Sequence, residues 1–294
     1  MQTWQIGEVK ISKVLEMEQR WPGVALLENA TAEAVLATDW VLGPYADPES
    51  GRFRLSFHAF CLEIGDQKIV VDTCAGNDKV RPDFEALGNL QTDFLDKMIE
   101  AGFGPDDVTH VVCTHLHVDH VGWNTHLVGD TWEPTFPKAR YLFVEREWDH
   151  WKVEPQVYGD VVGDSIRPCI DAGLADLVAI DLRLNDLIWL EPTPGHTPGH
   201  ASVRISSNGQ DAVITGDLVH HPIQFANPDW VSNPDVDPDA AKATRRRFME
   251  RYCDDHTLVL GTHFGGPSCG HLRPDGDVWR LDPGDHPDLP DATG

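Results

Sequence analysis

The sequence predicts an α/β fold in which mixed β-sheets lie under helical cover. Three observations carry this. Strand-like and helix-like segments interleave along the chain. Hairpin signals occur in both halves, at Gly65-Asp66 and at Asn208-Gly209, so the sheets must contain antiparallel pairs and are not wound purely in parallel. The chain is 294 residues long and 41% hydrophobic, enough to fill the core of one large domain.

Each element follows from local pattern. Trp4–Ile6 and Val9–Leu15 read as short strands, and Thr31–Asp39 as a short helix. Arg54–Ile64 and Lys68–Val71 alternate or run apolar on either side of Gly65-Asp66, and VDTCAG at 71–76 ends the second of them with turn residues. Over Leu90–Ala101 the spacing puts Leu90, Phe94, Leu95, Met98 and Ile99 on one helical face, with Gly102 as the stop. After a turn at Pro105-Asp106-Asp107, Val108–Cys113 is an apolar strand. Arg140–Val144 is another, followed by a tryptophan-rich helix over Glu145–Trp151. Strands are expected at Leu177–Ile180, Leu187–Leu190, Val203–Ser206, Ala212–Thr215 and Leu258–Leu260, with a helix over Asp239–Tyr252 before the last. Residues 1–50 are expected as an N-terminal arm to a single domain spanning 1–294. Residues 283–294, rich in Pro, Asp and Gly, are expected to fray. Strand-rich segments in each half are consistent with two copies of one βα layer, and no short-period repeat is visible.

Composition narrows the partners. There are 23 basic and 48 acidic residues, a formal net charge of −25, and nucleic acid and anionic membranes are repelled by such a field. The local basic run Arg245–Arg247 is expected as a solvated helix face. No apolar run approaches the roughly 20 residues of a membrane span, and MQTWQIGEVK lacks the pattern of a signal peptide, so a cytoplasmic location is expected. The six cysteines include no CxxC pair and fit free thiols in a reducing compartment. Cys74, in a loop after a strand, is the one placed where site residues often sit.

The chemistry concentrates in THLHVDHVGW at 114–123, directly after the strand at Val108–Cys113. His115 and His117 are two apart, so on extended chain they point the same way and reach one ion; Asp119 and His120 follow after the chain has turned and address a second. Neutral imidazole and carboxylate are ligands for zinc and similar divalent metals. Gathering these groups without a metal would bury polar atoms at high cost. Three further segments end strands in the same way: PGHTPGH at 194–200, TGD at 215–217 and GTH at 261–263, which add His196, Asp217 and His263. Glycine beside each lets the chain bend sharply. His58, His110, His126, His150, His256, His271 and His286 read as ordinary surface or hydrogen-bonding residues.

HLHVDH, GHTPGH, GD and GTH in this order resemble the metallo-β-lactamase-fold hydrolases, and VVDTCAG at 70–76 is similar to that family's early Asp-bearing loop. The resemblance covers about residues 50–280. It implies a four-layer αβ/βα sandwich, two mixed sheets flanked by helices. Position by position it implies His115, His117 and His196 at one metal, Asp119, His120 and His263 at the other, and Asp217 bridging. Asp72 would orient a ligand or the motif loop. Two divalent ions, zinc foremost with manganese, iron or cobalt as alternatives, would then hold a hydroxide that attacks a carbonyl or phosphoryl centre, and Asp119 would pass a proton to the leaving group.

Within the family the bridging Asp217 argues against true β-lactamases, and the acidic C-terminus against glyoxalase II-like thioesterases. The segment from Gly195 to Trp230 looks most like lactonases and methyl-parathion-hydrolase-like enzymes. Quorum-quenching lactonases often carry a tyrosine three residues after the bridging Asp; here that position is His220, where the parathion-hydrolase-like members are more similar. Two readings of His220 stand: it donates to the oxyanion or leaving group, or it lines the cleft. Trp123, Trp148, Trp151, Phe225, Trp230 and Phe264 lie in or beside loops near these motifs. They are either aromatic walls for a bulky apolar substrate or core packing. The expectation is a dinuclear metal-dependent hydrolase of a carboxylic ester, a lactone or aryl ester, with a small-molecule substrate, no nucleic-acid or membrane partner, and a homodimer as an open possibility. The alternatives are a phosphotriesterase, a thioesterase, or a non-hydrolytic di-iron redox protein.

Overall fold

The computed structural model describes residues 1–154 and 157–284. His286 and nearly all of the tail expected to fray lie outside the described residues. The first sheet has seven strands. In chain order the elements are β1 (Thr3–Ile6), β2 (Val9–Trp21), helix α1 (Ala32–Leu36), β3 (Phe53–Ile64), β4 (Gln67–Val71), α2 (Phe94–Glu100), β5 (His110–Val112), a separate hairpin β6 (Thr125–Val128) and β7 (Thr131–Pro134), β8 (Arg140–Val144), α3 (Glu145–Trp151), α4 (Arg167–Asp171) and β9 (Ala175–Val178). The sheet order is β1-β2-β3-β4-β5-β8-β9. β1/β2 and β3/β4 are antiparallel, whereas β4, β5, β8 and β9 run parallel. The first twenty-one residues, expected as part of an arm, thus supply two strands of this sheet.

The second sheet has six strands in simple order: β10 (Ile188–Pro192), β11 (Ala201–Ser207), β12 (Gln210–Ile214), β13 (Leu258–Leu260), β14 (Cys269–Asp275) and β15 (Val278–Asp282). Helices α5 (Ile223–Ala226) and α6 (Pro238–Tyr252) lie between β12 and β13, which pair in parallel. Asn208 and Gly209 both have positive φ, as a two-residue hairpin turn that follows strand twist requires. Both sheets are therefore mixed, and the expected α/β class holds.

By its internal packing the chain divides into two compact units, residues 1–17 with 57–184, and residues 18–56 with 185–294. In the first, β4, β5 and β8 carry buried side chains on both faces: Val70, Val71, Val111, Val112, Tyr141 and Phe143 are all buried. Burial of each such Val or Phe side chain is worth about 1.5–3 kcal/mol. In the second, Val203, Ile205, Val213, Ile214, Val259 and Leu260 do the same.

Three local readings are corrected. α2 begins at Phe94, not Leu90, because the preceding backbone is already committed: Leu90 bridges Asn77, and the Thr92 N–H donates to Asn77 Oδ1 at 2.8 Å. Phe94 and Met98 face the core, but Ile99 is exposed. β9 starts two residues before the expected strand, at Ala175. In the run Arg245–Arg247, Arg245 is fully buried while Arg247 is exposed.

A buried charged cluster closes the first unit. Arg81 donates twice to Asp164, Nη1–Oδ2 at 2.6 Å and Nη2–Oδ1 at 3.0 Å. Lys79 Nζ donates to Thr125 Oγ1 at 2.6 Å and to the Asp164 carbonyl at 2.8 Å, and it sits 3.5 Å from the centre of the Trp132 ring. Among the described residues, no helix is long and apolar enough to cross a membrane.

Candidate metal centre

Parallel pairing decides where the ligand-type residues lie. Because β4 and β5 run parallel, Asp72 after β4 and Thr114–His120 after β5 leave the sheet at the same edge. Asp72 is buried and adopts φ 57°, which turns its carboxylate back under the motif loop. Its Oδ1 accepts the Thr114 N–H at 2.8 Å, and its Oδ2 accepts the Thr114 hydroxyl at 2.8 Å and His120 Nδ1 at 2.9 Å. The loop is pinned again by its backbone: Thr73 N–H donates to the His120 carbonyl at 2.7 Å and Gly122 N–H to that of Cys74 at 2.8 Å. A Cβ at Gly122 would lie 1.9 Å from the Ala75 carbonyl oxygen, so only glycine allows this approach.

The result is a tight group of imidazoles. The His115 ring lies 4.7 Å from that of His117 and 4.0 Å from that of His120. Ligand atoms of His115 fall within 4.8 Å of those of His117 and of His120, and Asp119 and His120 meet the same limit. Asp119 is the one side chain of the four that is not buried. Two residues outside the motif brace it: Glu147 on α3 accepts the Leu116 N–H at 3.3 Å and the Trp151 indole N–H at 2.8 Å, and Trp151 packs against His117 with ring centroids 5.2 Å apart.

The second unit builds a matching cluster. β12 and β13 are parallel, so Asp217 and His263 follow strand ends at one edge, and the loop after β10 brings His196. Gly195 has φ 141°, and a Cβ there would lie 2.3 Å from the Ala241 backbone nitrogen. Asp217 Oδ1 lies 3.1 Å from His263 Nε2, and its Oδ2 lies 3.2 Å from His220 Nε2 and 3.5 Å from His196 Nε2. Ligand atoms of His196, Asp217 and His220 all fall within 4.8 Å of one another.

The donor set fits divalent metal. Nδ1 of His115, His120, His196 and His263 each faces an oxygen: Thr114 Oγ1 at 3.1 Å, Asp72 at 2.9 Å, Asp235 at 2.8 Å and the Ser56 carbonyl at 3.3 Å. Protonation at Nδ1 leaves the lone pair on Nε2. In the second cluster two such lone pairs point at the oxygens of one buried carboxylate, an arrangement that repels unless a cation stands between them. Each unit therefore carries a candidate cluster of His and Asp ligands.

His220 is buried, its ring parallel to that of His263 at 6.2 Å and edge-on to that of His196 at 4.7 Å. Burial pushes its pKa below the ordinary histidine value, against the pull of Asp217. Its backbone N–H donates to Gln224 Oε1 at 2.8 Å. The aromatic residues separate. Trp123 is buried, stacks on Phe94 at 5.8 Å and donates its indole N–H to Glu16 at 2.7 Å. Phe225 and Phe264 are fully buried and meet edge-on at 6.1 Å, and Phe264 covers Gly261. Trp148 and Trp230 are half-buried, with the Arg167 guanidinium 5.7 Å from the Trp148 ring. Cys74 is buried, and burial together with the charges of Glu16 and Asp72 pushes its thiol pKa well above the ordinary value, so it is no nucleophile.

Sequence reasoning gave four further residues no role at the site. Glu16 on β2 accepts from the Ala75 and Gly76 N–H groups at 2.8 and 3.1 Å as well as from Trp123. His200 accepts the Asp217 N–H on Nε2 at 2.9 Å. Asp235 accepts from His196. Burial alone would raise its pKa, but His196, His220 and Arg245 together hold it below the usual carboxylate range. Arg245 lies beside Asp235.

Comparison with known proteins agrees with this geometry. The family model described as the metallo-beta-lactamase superfamily matches residues 58–286. An N-acyl homoserine lactonase of Bacillus thuringiensis is 26% identical over 225 residues, covering 71% of this chain and 82% of its own. Among solved structures, AidC, a dizinc quorum-quenching lactonase in complex with a product, superposes with a TM-score of 0.79 at 19% identity, covering 97% of both chains. The hydrolase AbOPH gives 0.77 at 24% identity, again with 97% of both covered. At those identities the two structures speak for the fold. The ordered His and Asp motifs, the two mixed sheets and a family match over most of its length make this chain a member of the metallo-β-lactamase superfamily.

Proposed function

We propose that this protein is a metal-dependent hydrolase of carboxylic esters, with a lactone or aryl ester as substrate. In this reading His115, His117 and His196 would hold one divalent ion and Asp119, His120 and His263 the other, with Asp217 as a further ligand. Bound ions of this kind supply a Lewis acid for the ester carbonyl and a water acidified from a pKa of about 15.7 to roughly 7. The observation that carries the reading is Asp217, whose two oxygens address the Nε2 atoms of different histidines.

The chain's own residues do the rest. Asp72 and Thr114 fix imidazole tautomers, so no reorganisation is needed when substrate arrives. Asp119, the one carboxylate of the motif and less buried than its histidines, takes up a proton and returns it to the leaving alkoxide. His220, buried beside Asp217, offers an N–H to the oxygen on which negative charge develops. A lactone suits this division of labour, because its leaving group stays attached and is protonated in place. The B. thuringiensis relative, named for lactone substrates, supports that choice.

The test is a ranking of kcat/KM for the zinc-loaded protein on lactones, aryl esters, thioesters, phosphotriesters and β-lactams. Lactones or aryl esters should lead, chelation should abolish turnover, and Asp217→Ala should release at least one ion. A thioester or phosphotriester at the head of the ranking, or Asp217→Ala that keeps both ions and full activity, overturns the proposal.

A further inference from the structure

The loop at 231–237 and the helix behind it hold a device that the proposed reaction does not itself require. Asp235 is buried, and both its oxygens are committed. Oδ1 accepts His196 Nδ1 at 2.8 Å, while Oδ2 accepts the Ser232 N–H at 2.9 Å and lies 3.8 Å from Arg245 Nη2. The same loop is tied to the His196 segment by its backbone, Val236 N–H to the His196 carbonyl at 2.9 Å and Asp237 N–H to that of Gly195 at 3.0 Å. Arg245, fully buried on α6, spends its other donors on three carbonyls. Nε donates to Leu218 at 2.9 Å, and Nη1 to Pro228 at 3.0 Å and Trp230 at 2.9 Å. Leu218 directly follows Asp217. One guanidinium thus grips the loop of the carboxylate and, through Asp235, the imidazole that faces it.

We infer that Asp235, held by Arg245, is a positioning residue that fixes the tautomer and ring plane of His196 so that Nε2 is the atom presented to metal. The inference rests on the metal-dependent reading above. An ionised carboxylate can only accept, so it forces the proton onto Nδ1. An amide at the same place could donate instead and let the proton move to Nε2, where it would block ligation. Burial matters too: a guanidinium with three of its five N–H groups bound to carbonyls does not swing away, and the carboxylate beside it stays in place.

Two readouts test this on the full chain. In zinc-free, ¹⁵N-histidine-labelled protein, long-range ¹H–¹⁵N spectra should show His196 as the Nδ1–H tautomer in the wild type and a shift toward Nε2–H in Asp235→Asn. Zinc competition against a chromophoric chelator should show the weaker of two ions bound about 10–100-fold less tightly in Asp235→Asn, the usual effect of losing such a partner. Asp235→Glu should recover part of the loss. Arg245→Lys, which keeps the charge but cannot reach three carbonyls, should shift affinity the same way and carries the test if Asp235→Asn fails to fold. Asp235→Asn that binds two zinc ions with wild-type affinity and keeps the Nδ1–H tautomer sinks the inference and leaves the proposed function standing. A wild-type protein that binds no zinc, manganese or iron sinks the proposed function and the inference with it.

Discussion

Asp72→Ala removes the carboxylate on which the motif loop is folded. Three donors lose their acceptor: the Thr114 N–H, the Thr114 hydroxyl and His120 Nδ1, at 2.8, 2.8 and 2.9 Å. Hydrogen bonds to a charged group are worth about 1.5–3 kcal/mol each, so the ceiling is roughly 4.5–9 kcal/mol. The true cost is smaller, because the vacated space admits water to at least one donor and the Thr114 hydroxyl can rotate. About 3–5 kcal/mol is expected, in the range for breaking a buried charged pair. Urea unfolding of chelator-treated protein isolates this from metal linkage. With a slope of about 3 kcal/mol/M, near the top of the small-protein range, the midpoint should fall by roughly 1–1.7 M. Metal added back should then bind about 10–100-fold more weakly. A midpoint within about 0.3 M of wild type, with two ions tightly held, would refute the role assigned to Asp72.

Three further outcomes are expected. Arg81→Met should cost about 3–5 kcal/mol by stranding Asp164, and adding Asp164→Leu should restore much of it; equal unfolding midpoints for the single and double variants would argue against the pairing. Burial depresses the Lys79 pKa to about 7, so between about pH 7 and 10.5 the unfolded chain binds more protons at this position than the folded one, and the contribution of Lys79 to stability grows with rising pH. The stability difference between wild type and Lys79→Met should therefore move in favour of wild type from pH 7 to 9, and a flat difference contradicts the shift. In native protein at pH 8 a thiol reagent should label Cys253 before any other cysteine, since the other five are buried; rapid labelling of Cys74, located by mass spectrometry, would contradict its burial.

What could be read from the sequence was what is local. HLHVDH, GHTPGH, GD and GTH announce themselves because each ligand group falls at a strand end beside turn residues, and strand ends on a parallel pair share an edge. The hairpins at Gly65-Asp66 and Asn208-Gly209 were visible for the same reason. β14 and β15 were not, because Gly270 and Pro274 interrupt the first and much of the pair stays half exposed. The start of α2 was misplaced because Asn77, thirteen residues upstream of Leu90, competes for its backbone. Asp235 sits in an acidic loop, NPDVDPD, that looks solvated in sequence. Arg245 did carry a signal: Ala241, Thr244, Arg245, Phe248, Met249 and Tyr252 form one buried helical stripe, and a cation on such a stripe needs buried acceptors.

Glu16 ties the opening of the chain to events far downstream. Its carboxylate binds Trp123, 107 positions later, and the Ala75-Gly76 turn against which Gly122 packs. During synthesis β2 emerges early but has to wait for most of the first unit before this knot can close, and contacts of such long span make folding slow. A shortened chain that begins beyond residue 16, or a bulky fusion that pulls the first strand aside, should therefore weaken metal retention at the His115–His120 loop without touching a single ligand.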